Sequence, residues 1–254
     1  MITVTFLGFG NVNHHLCTAL HKKQQVSVKQ IYSRNNIRLS SEIDSIPFTR
    51  QLSQLQPADV YIIGIPDDAI ASFSEALPFR DKLVVHTSGG VTMETLSEKN
   101  RKGVFYPLQT FSKERAVNLK TTPICIEAGN EKDRNLLQKL GVVLSHQVVS
   151  ISSEERAKLH LAAVFVNNFV NHLYAIGADI TSQSGVPFEL LKPLIAETAR
   201  KIEDLSPSEA QTGPARRKDL NTIEKHVHLL HDSRYKELYK LLTESIQKSY
   251  GKKL

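Results

Sequence analysis

The chain has 254 residues, 41% of them hydrophobic and 23% charged, with a net charge of +6, a composition that excludes a disordered or collagen-like chain and allows one large core or two moderate ones. Its two cysteines, Cys17 and Cys125, lie in apolar surroundings without metal-ligand spacing, so no disulfide scaffold or metal site is expected and both read as buried thiols of a cytoplasmic protein. The basic residues are dispersed without a nucleic-acid motif, no signal peptide is read at Met1-Ile2-Thr3-Val4, and no apolar run is read as long enough to span a membrane, so neither nucleic acid nor membrane is an expected partner.

In chain order, Ile2 to Leu7 alternates β-branched and apolar residues and stops on Gly8, as a buried strand entering a turn does. Gly8-Phe9-Gly10-Asn11-Val12-Asn13 follows, then a helix over His14 to Lys23 and a second strand over Val26 to Tyr32. Strand, glycine turn, helix and strand in that order predict a dinucleotide seat. Gly8 permits the reversal, Gly10 lets a pyrophosphate approach the backbone, and the helix start aims free N–H groups at it. Asn13 stands where the third glycine of such a turn is usual. The second strand ends in Ser33-Arg34-Asn35, where an NAD site would usually offer an acid to the ribose. Guanidinium and hydroxyl there favour a 2′-phosphate, hence NADP(H), the alternative being a solvated basic loop.

A short strand is expected near Phe48, and Val60 to Ile65 is apolar on both faces, the mark of a central parallel strand. Pro66-Asp67-Asp68 follows, with a helix from Ala69 to Leu77, then a strand at Leu83 to His86 that ends in Thr87-Ser88-Gly89-Gly90. Ligands of open α/β sheets bind beyond the carboxyl ends of the strands, so these turns should gather along one edge, with Ile65, Pro66, Asp67, Ser88 and Gly89 joining the cofactor site. Gly103 to Tyr106, Pro123 to Glu127, a helix over Asp133 to Leu140, and Val148-Val149 extend or close the sheet. Residues 1–150 therefore read as one doubly wound α/β domain.

From Ser152 strand signals vanish, and residues 151–254 read as an all-α domain. Ser152 with Glu155 resembles a capping box opening a helix over about Glu154 to Ser182. That helix is apolar nearly all round, so burial within a helical domain or against a partner subunit is expected. One polar stripe, His160, Asn167, Asn171 and Tyr174 with Asn168 beside it, runs through it at about 100° per residue. Further helices are expected at Pro187 to Leu205, Pro214 to Leu230 and Ser233 to Ser249, with Gly251 to Leu254 frayed. In the third of these four helices, Arg216, Asp219 and His226 fall within or beside the packed face defined by Leu220, Ile223, Val227 and Leu230. Inward polar groups must be paired or must line a cleft. An Arg216–Asp219 ion pair and a structural His226 stand against a substrate-binding arginine and a general acid or base. The amides at Thr212 and Gly213, before Pro214, read as an anion or oxyanion site.

Gly8-Phe-Gly-Asn-Val12, Pro66-Asp-Asp68, His86-Thr-Ser-Gly89, Tyr106-Pro-Leu-Gln-Thr-Phe111, His160-Leu-Ala-Ala163 with Asn168, and Thr212-Gly-Pro-Ala-Arg-Arg-Lys-Asp219 carry a family resemblance. The first half resembles the NADP-binding domains of pyrroline-5-carboxylate reductases, deazaflavin-dependent NADP oxidoreductases and β-hydroxyacid dehydrogenases. The whole chain is similar to Rossmann-like proteins with a C-terminal helical domain of unknown function. That resemblance implies an NADP-dependent oxidoreductase, dimeric through its helical domain.

The chemistry expected is hydride transfer to or from a small, anionic carbonyl, imine or alcohol carrying a carboxylate. His160 and Asn168 would polarise the reacting bond, Arg216 or the amides after Thr212 would hold the carboxylate, and Gln109 and Thr110 would line the substrate site. Asp219 and His226 complete the candidate catalytic set. The alternative is a non-catalytic NADP-binding sensor with a helical dimerisation domain, because a Rossmann domain by itself implies no reaction.

Overall fold

Short apolar runs separated by glycine-rich turns become eight strands of one sheet in the computed structural model, which describes residues 1–250. The expectation of fraying at Gly251 to Leu254 lies outside the described residues. The strands are β1 (Ile2–Leu7), β2 (Val26–Tyr32), β3 (Phe48–Thr49), β4 (Val60–Ile63), β5 (Leu83–His86), β6 (Arg101–Pro107), β7 (Ile124–Ala128) and β8 (Val148–Ser150). Their order is β3-β2-β1-β4-β5-β6-β7-β8. All neighbours are parallel except β6 and β7, which pair antiparallel from Gly103↔Ala128 to Pro107↔Ile124. The central strands are buried on both faces, as their unbroken apolar runs demand; every residue of β4 and β5 is buried.

Helix α1 (Asn11–His21) covers one face with Asn13, Leu16, Cys17 and Leu20, a spacing that returns to the same side of the helix. Helix α3 (Glu131–Leu144) covers the antiparallel end through Leu137, Leu140 and Leu144. Its start is capped by Asn130, whose side chain accepts from the Asp133 amide at 2.9 Å. The short α2 (Ile70–Glu75) packs Ile70 among Leu7, Tyr61 and Ile63 on the other face. Strand order reverses between β1 and β4, and the crevice at that switch point is where ligands of such sheets bind.

The chain divides into two compact units between Asn167 and Asn168. Strand structure ends at Ser150, near the boundary read at residue 150, but helix α4 (Ser153–Ala163) belongs to the first unit. The reason is electrostatic. Arg156, 1% exposed, pairs with Glu127 of β7 and donates to the Val91 carbonyl at 2.5 Å and to Ser153 Oγ at 3.1 Å. Glu127 also accepts from the Ser153 amide at 3.0 Å and from its hydroxyl at 2.8 Å. The capping box at Ser152 and Glu155 forms as its spacing predicts.

Beyond α4 the helix continues through a π-helical segment, Val164–Phe169, into α5 (Val170–Gln183). A projection at about 100° per residue does not hold through π turns, whose hydrogen bonds span five residues; the polar stripe read from His160 to Tyr174 loses its phase there. Leu161, Val166 and Leu173 are 59%, 74% and 40% exposed in the single chain, so of the two kinds of burial expected for this helix, the one within the chain's own helical domain is not met. A second expectation about it is corrected. Ser153–Gln183 is also, by length and composition alone, apolar enough to cross a membrane, although its first turns are bolted to the sheet through Arg156.

The second unit continues with α6 (Lys192–Asp204), α7 (Pro207–Ala210), α8 (Pro214–Arg217), α9 (Leu220–Leu229) and α10 (Ser233–Tyr250). Among its described residues Ala215 alone is buried. The single helix expected over Pro214 to Leu230 is two helices, because Lys218 adopts the left-handed conformation (φ 57°) and Asp219 restarts the chain as an N-cap.

Candidate functional site

The first glycine turn forms as its sequence requires. Gly8 has φ 84°, and a Cβ there would lie 2.4 Å from the Ile65 side chain and 2.7 Å from the Gly64 carbonyl oxygen, so glycine is obligatory. Gly10 is different. A Cβ on it would meet only the Gly64 oxygen, at 3.8 Å, so the protein itself leaves room in front of that backbone. Gly10 is the N-cap of α1, no side chain caps the helix, and no acid occupies its first turn. Unpaired amides and the positive end of the helix dipole thus face an opening that suits an anion.

That opening is a cleft of about 510 Å³ at the β1/β4 switch point. Gly8, Phe9, Gly10 and Gly64 form its floor, Tyr32 to Ile37 one wall, and Ile65, Pro66, Ala69, Ser72 and Phe73 the other. Ser33 and Arg34 lie at the end of β2, as expected. Arg50, which sequence reading missed, donates from Nε to the Arg34 carbonyl at 3.0 Å and from Nη1 to Asn36 Oδ1 at 3.3 Å. It braces the loop that carries Arg34. Lys113, also missed, lines the cleft from the loop after β6. No sequence signal tied either residue to the turn.

Asn13 does not enter the cleft. It is fully buried, and its Nδ2 lies 2.8 Å from the Gly8 carbonyl, 3.3 Å from that of Leu7 and 3.2 Å from that of Ile62. The amide stitches the turn to β1 and β4, so its assignment as a cofactor contact is corrected: it holds the turn from behind. A Cβ on Gly64 would collide with it at 2.4 Å. Asn11 donates to the Phe111 carbonyl at 2.9 Å, and Val12 packs against the core, which leaves their backbone amides as the groups available at the helix start.

A second cluster forms at the ends of β4, β5 and β6. Ser88 donates to Asp67 Oδ2 at 2.9 Å and accepts from the amides of Gly90 and Val91, both at 3.1 Å. Beneath it His86 is fully buried; its Nδ1 accepts from the Ser88 amide at 3.2 Å, so Nε2 carries the proton toward the Thr92 carbonyl at 3.3 Å. Burial, with Arg156 nearby, pushes this imidazole down to about 4. It is a neutral structural group.

Above Gly89 stands the pair Tyr106–His160. The phenol oxygen is 3.1 Å from His160 Nδ1, with the rings edge to face. A Cβ on Gly89 would lie 2.6 Å from His160 Nδ1 and 2.8 Å from Tyr106 Cζ; glycine is what lets the pair close over the turn. Burial pushes the Tyr106 hydroxyl up to about 12, so it remains a donor near neutrality. The contact at Nδ1 fixes the orientation of the imidazole ring. Arg156, one helical turn before His160, anchors the helix that carries it. Tyr106 was read only as part of a family motif; its partner lies 54 residues away.

The other candidates have different occupations. Among the described residues no ion pair joins Arg216 to Asp219. Arg216 turns back on the carbonyls of Ser208 at 3.4 Å, Glu209 at 3.3 Å and Gln211, and its guanidinium lies 5.7 Å from the Tyr250 ring centre. Asp219 accepts from the Thr222 amide at 3.1 Å and hydroxyl at 2.7 Å, which hold its carboxyl below the usual range. His226 Nδ1 bonds Tyr239 Oη at 2.9 Å. Arg216 and His226 tie helices together, and Asp219 caps α9. Gly213 (φ 105°) opens α8, whose four residues are too few to build a helix-terminal anion site with Thr212. Gln109 and Thr110 are exposed, Gln109 Oε1 accepting from the Thr110 amide at 2.8 Å, and Asn168 is exposed in the π segment. Lys158, on the same helix as His160, pairs with Glu154 on the surface.

Comparison with proteins of known structure supplies the family. A crystal structure of a Bacteroides fragilis protein described as a “putative NADP oxidoreductase” is 37% identical, with a TM-score of 0.89 over 97% of this chain and 98% of that one. The chain belongs to this family of Rossmann-like NADP-binding proteins with a C-terminal helical domain. The family model for a domain of unknown function, DUF2520, matches residues 122–246, from just before β7 to within α10. Protein TM1727 of Thermotoga maritima shares the fold at 22% identity and a TM-score of 0.78, over 96% of this chain and 99% of that one. The pyrroline carboxylate reductase of Plasmodium falciparum, solved with NADP bound, shares it at 13% identity and 0.63, over 98% and 97%. Comparison with curated proteins found no significant match.

Proposed function

We propose that the chain is an NADP(H)-dependent oxidoreductase that moves a hydride to or from a small carbonyl, imine or alcohol. The observation that carries this reading is the Tyr106–His160 pair closed over Gly89, on the same sheet edge as the glycine-floored cleft. When bound, NADP(H) supplies or accepts the hydride. The amides at the start of α1 and the bare backbone of Gly10 suit its diphosphate, and Ser33 and Arg34, braced by Arg50, suit a 2′-phosphate. His160, held at Nδ1 by Tyr106, gives its Nε2 proton to the substrate oxygen or nitrogen from the imidazolium form during reduction, which leaves the neutral imidazole, and the neutral imidazole takes the proton back during oxidation. Asp67 and Ser88 hold the turn beneath it.

With Arg216 engaged on carbonyls, the substrate's carboxylate rests on the net charge of +6, which favours anionic ligands at long range. We further take the exposed apolar residues of the second unit, among them Leu190, Leu194, Ile202 and Leu241, to be covered by a second copy of the chain, and the protein to act in the cytoplasm. Light scattering should report a dimer, and Leu194→Glu a monomer.

The test of function is an NADPH titration followed by an oxidation screen over keto acids, cyclic imines and aldehydes. Binding with turnover lost in His160→Ala supports the reading. Saturable binding without turnover on any panel member supports the sensor instead, and absence of binding removes both.

A further inference from the structure

Behind α1, away from the glycine turn, lies a second recess of about 540 Å³. One wall is the outer side of α1, with His14, Thr18 and Lys22 in one row and His15, Ala19 and Lys23 in the next. The other is the segment from Lys113 to Lys120. Leu119, Leu144, Val117 and Ala19 give it an apolar base. Glu42 is the one carboxylate in the lining, and Lys22 already occupies it at 2.8 Å. Among the described residues no carboxylate pairs with Lys23, Lys113 or Lys120.

Unpaired cations gathered in a concavity repel one another, and the imidazole beside them registers the field. Burial is the largest cause that holds His14 below its ordinary value; His15 and Lys113 add to it, while Glu42 opposes it. The second wall is held in position: His15 Nε2 bonds the Ser112 carbonyl at 2.9 Å, Phe111 packs on the His15 ring at 5.4 Å, and Asn11 holds the Phe111 carbonyl at 2.9 Å. The lining offers lysines and imidazoles and no arginine. Compact point charges suit the rounded, multiply charged phosphate better than a planar carboxylate, which calls for a guanidinium fork.

We propose that this recess is a second anion site, separate from the dinucleotide cleft, that takes a small ligand bearing a chain of phosphates. Of its lining residues Lys113 alone also borders the cleft, so the two sites are separable by mutation. The proposal does not depend on the catalytic reading.

Inorganic triphosphate is titrated calorimetrically into the full chain at physiological ionic strength, with and without saturating NADP⁺. Saturable binding is expected in both arms, weakened about tenfold or more in Lys23→Glu/Lys120→Glu, as loss of charge-assisted contacts implies, and unchanged in Arg34→Glu. The milder Lys23→Gln/Lys120→Gln variant should weaken it in the same direction, and circular dichroism checks that both pairs fold. A parallel titration with ATP identifies the source: equal affinity assigns recognition to the phosphates alone, and tighter binding adds the nucleoside to the same site. No saturable binding, equal affinity in the lysine variants, or loss in Arg34→Glu overturns the proposal.

Discussion

In residues 1–167 the glycine turn leaves bare amides and Arg34 beside a cleft, and the neighbouring turn is held by Ser88 with Asp67 and covered by the Tyr106–His160 pair. In residues 168–250 the polar groups that helical periodicity turns inward are consumed by their neighbours. Arg216 closes on three carbonyls, Asp219 caps α9, and His226 meets Tyr239. The burial of the two units differs in the same sense, a deep apolar core in the first against Ala215 alone in the second. Periodicity shows which polar residues turn inward, but it cannot tell those that end on the carbonyls, amides and rings of neighbouring helices from those that end at a site.

The largest expected effect breaks that comparison at its chemical centre. His160→Ala should lower kcat by about 10²–10⁴-fold, the usual worth of a positioned acid or base, with the NADPH dissociation constant unchanged; Arg216→Ala, assayed alongside, should leave kcat intact. Equal losses in both would erase the distinction between the units.

Next in size is Arg156→Ala. It strands the Glu127 carboxylate beside β7, and removing one member of a buried pair costs about 3–5 kcal/mol. Denaturant unfolding should register that loss, and any surviving folded protein should have poor kcat because α4 carries His160.

The buried His86 sharpens the comparison through pH. Its folded value, about 4, lies below the ordinary 6.5, so the unfolded chain binds the extra proton and stability falls as pH falls. The contribution is complete above 6.5 and drains away toward 4, amounting to about 3 kcal/mol across the window. Unfolding followed from neutral to acid pH should trace this slope, and His86→Asn should flatten it.

The smallest effect is expected from Asp219→Ala, which removes the α9 cap from an exposed turn. A melting temperature lowered by a few degrees with unchanged turnover would agree with a purely structural residue. A collapse of turnover at full stability would return Asp219 to the reacting centre.

Much of the first unit is legible in the residues. β2 and β5 begin and end where the sequence predicts them, and the glycine turn stands where strand, turn and helix foretell it. The antiparallel β6–β7 pair was not legible, since a buried strand reads alike in either direction. The break at Lys218 was hidden because lysine is a good helix former and gives no warning of a left-handed conformation. Tyr106 and Arg50 escaped because each acts on a residue distant in sequence, and a single sequence offers no periodicity across such gaps. Gly64, lodged in the apolar run Val60 to Ile65, was the one visible hint that a side chain from elsewhere needed that space.

The lock between Asn13 and Gly64 also constrains how this protein can vary. Because the amide fills the volume a methyl would need, the two positions are coupled: a variant with glycine at 13 releases 64 to grow, whereas alanine at 64 is barred while the asparagine stays. Relatives carrying both exchanges, and none carrying the second alone, would be the historical trace of that interlock.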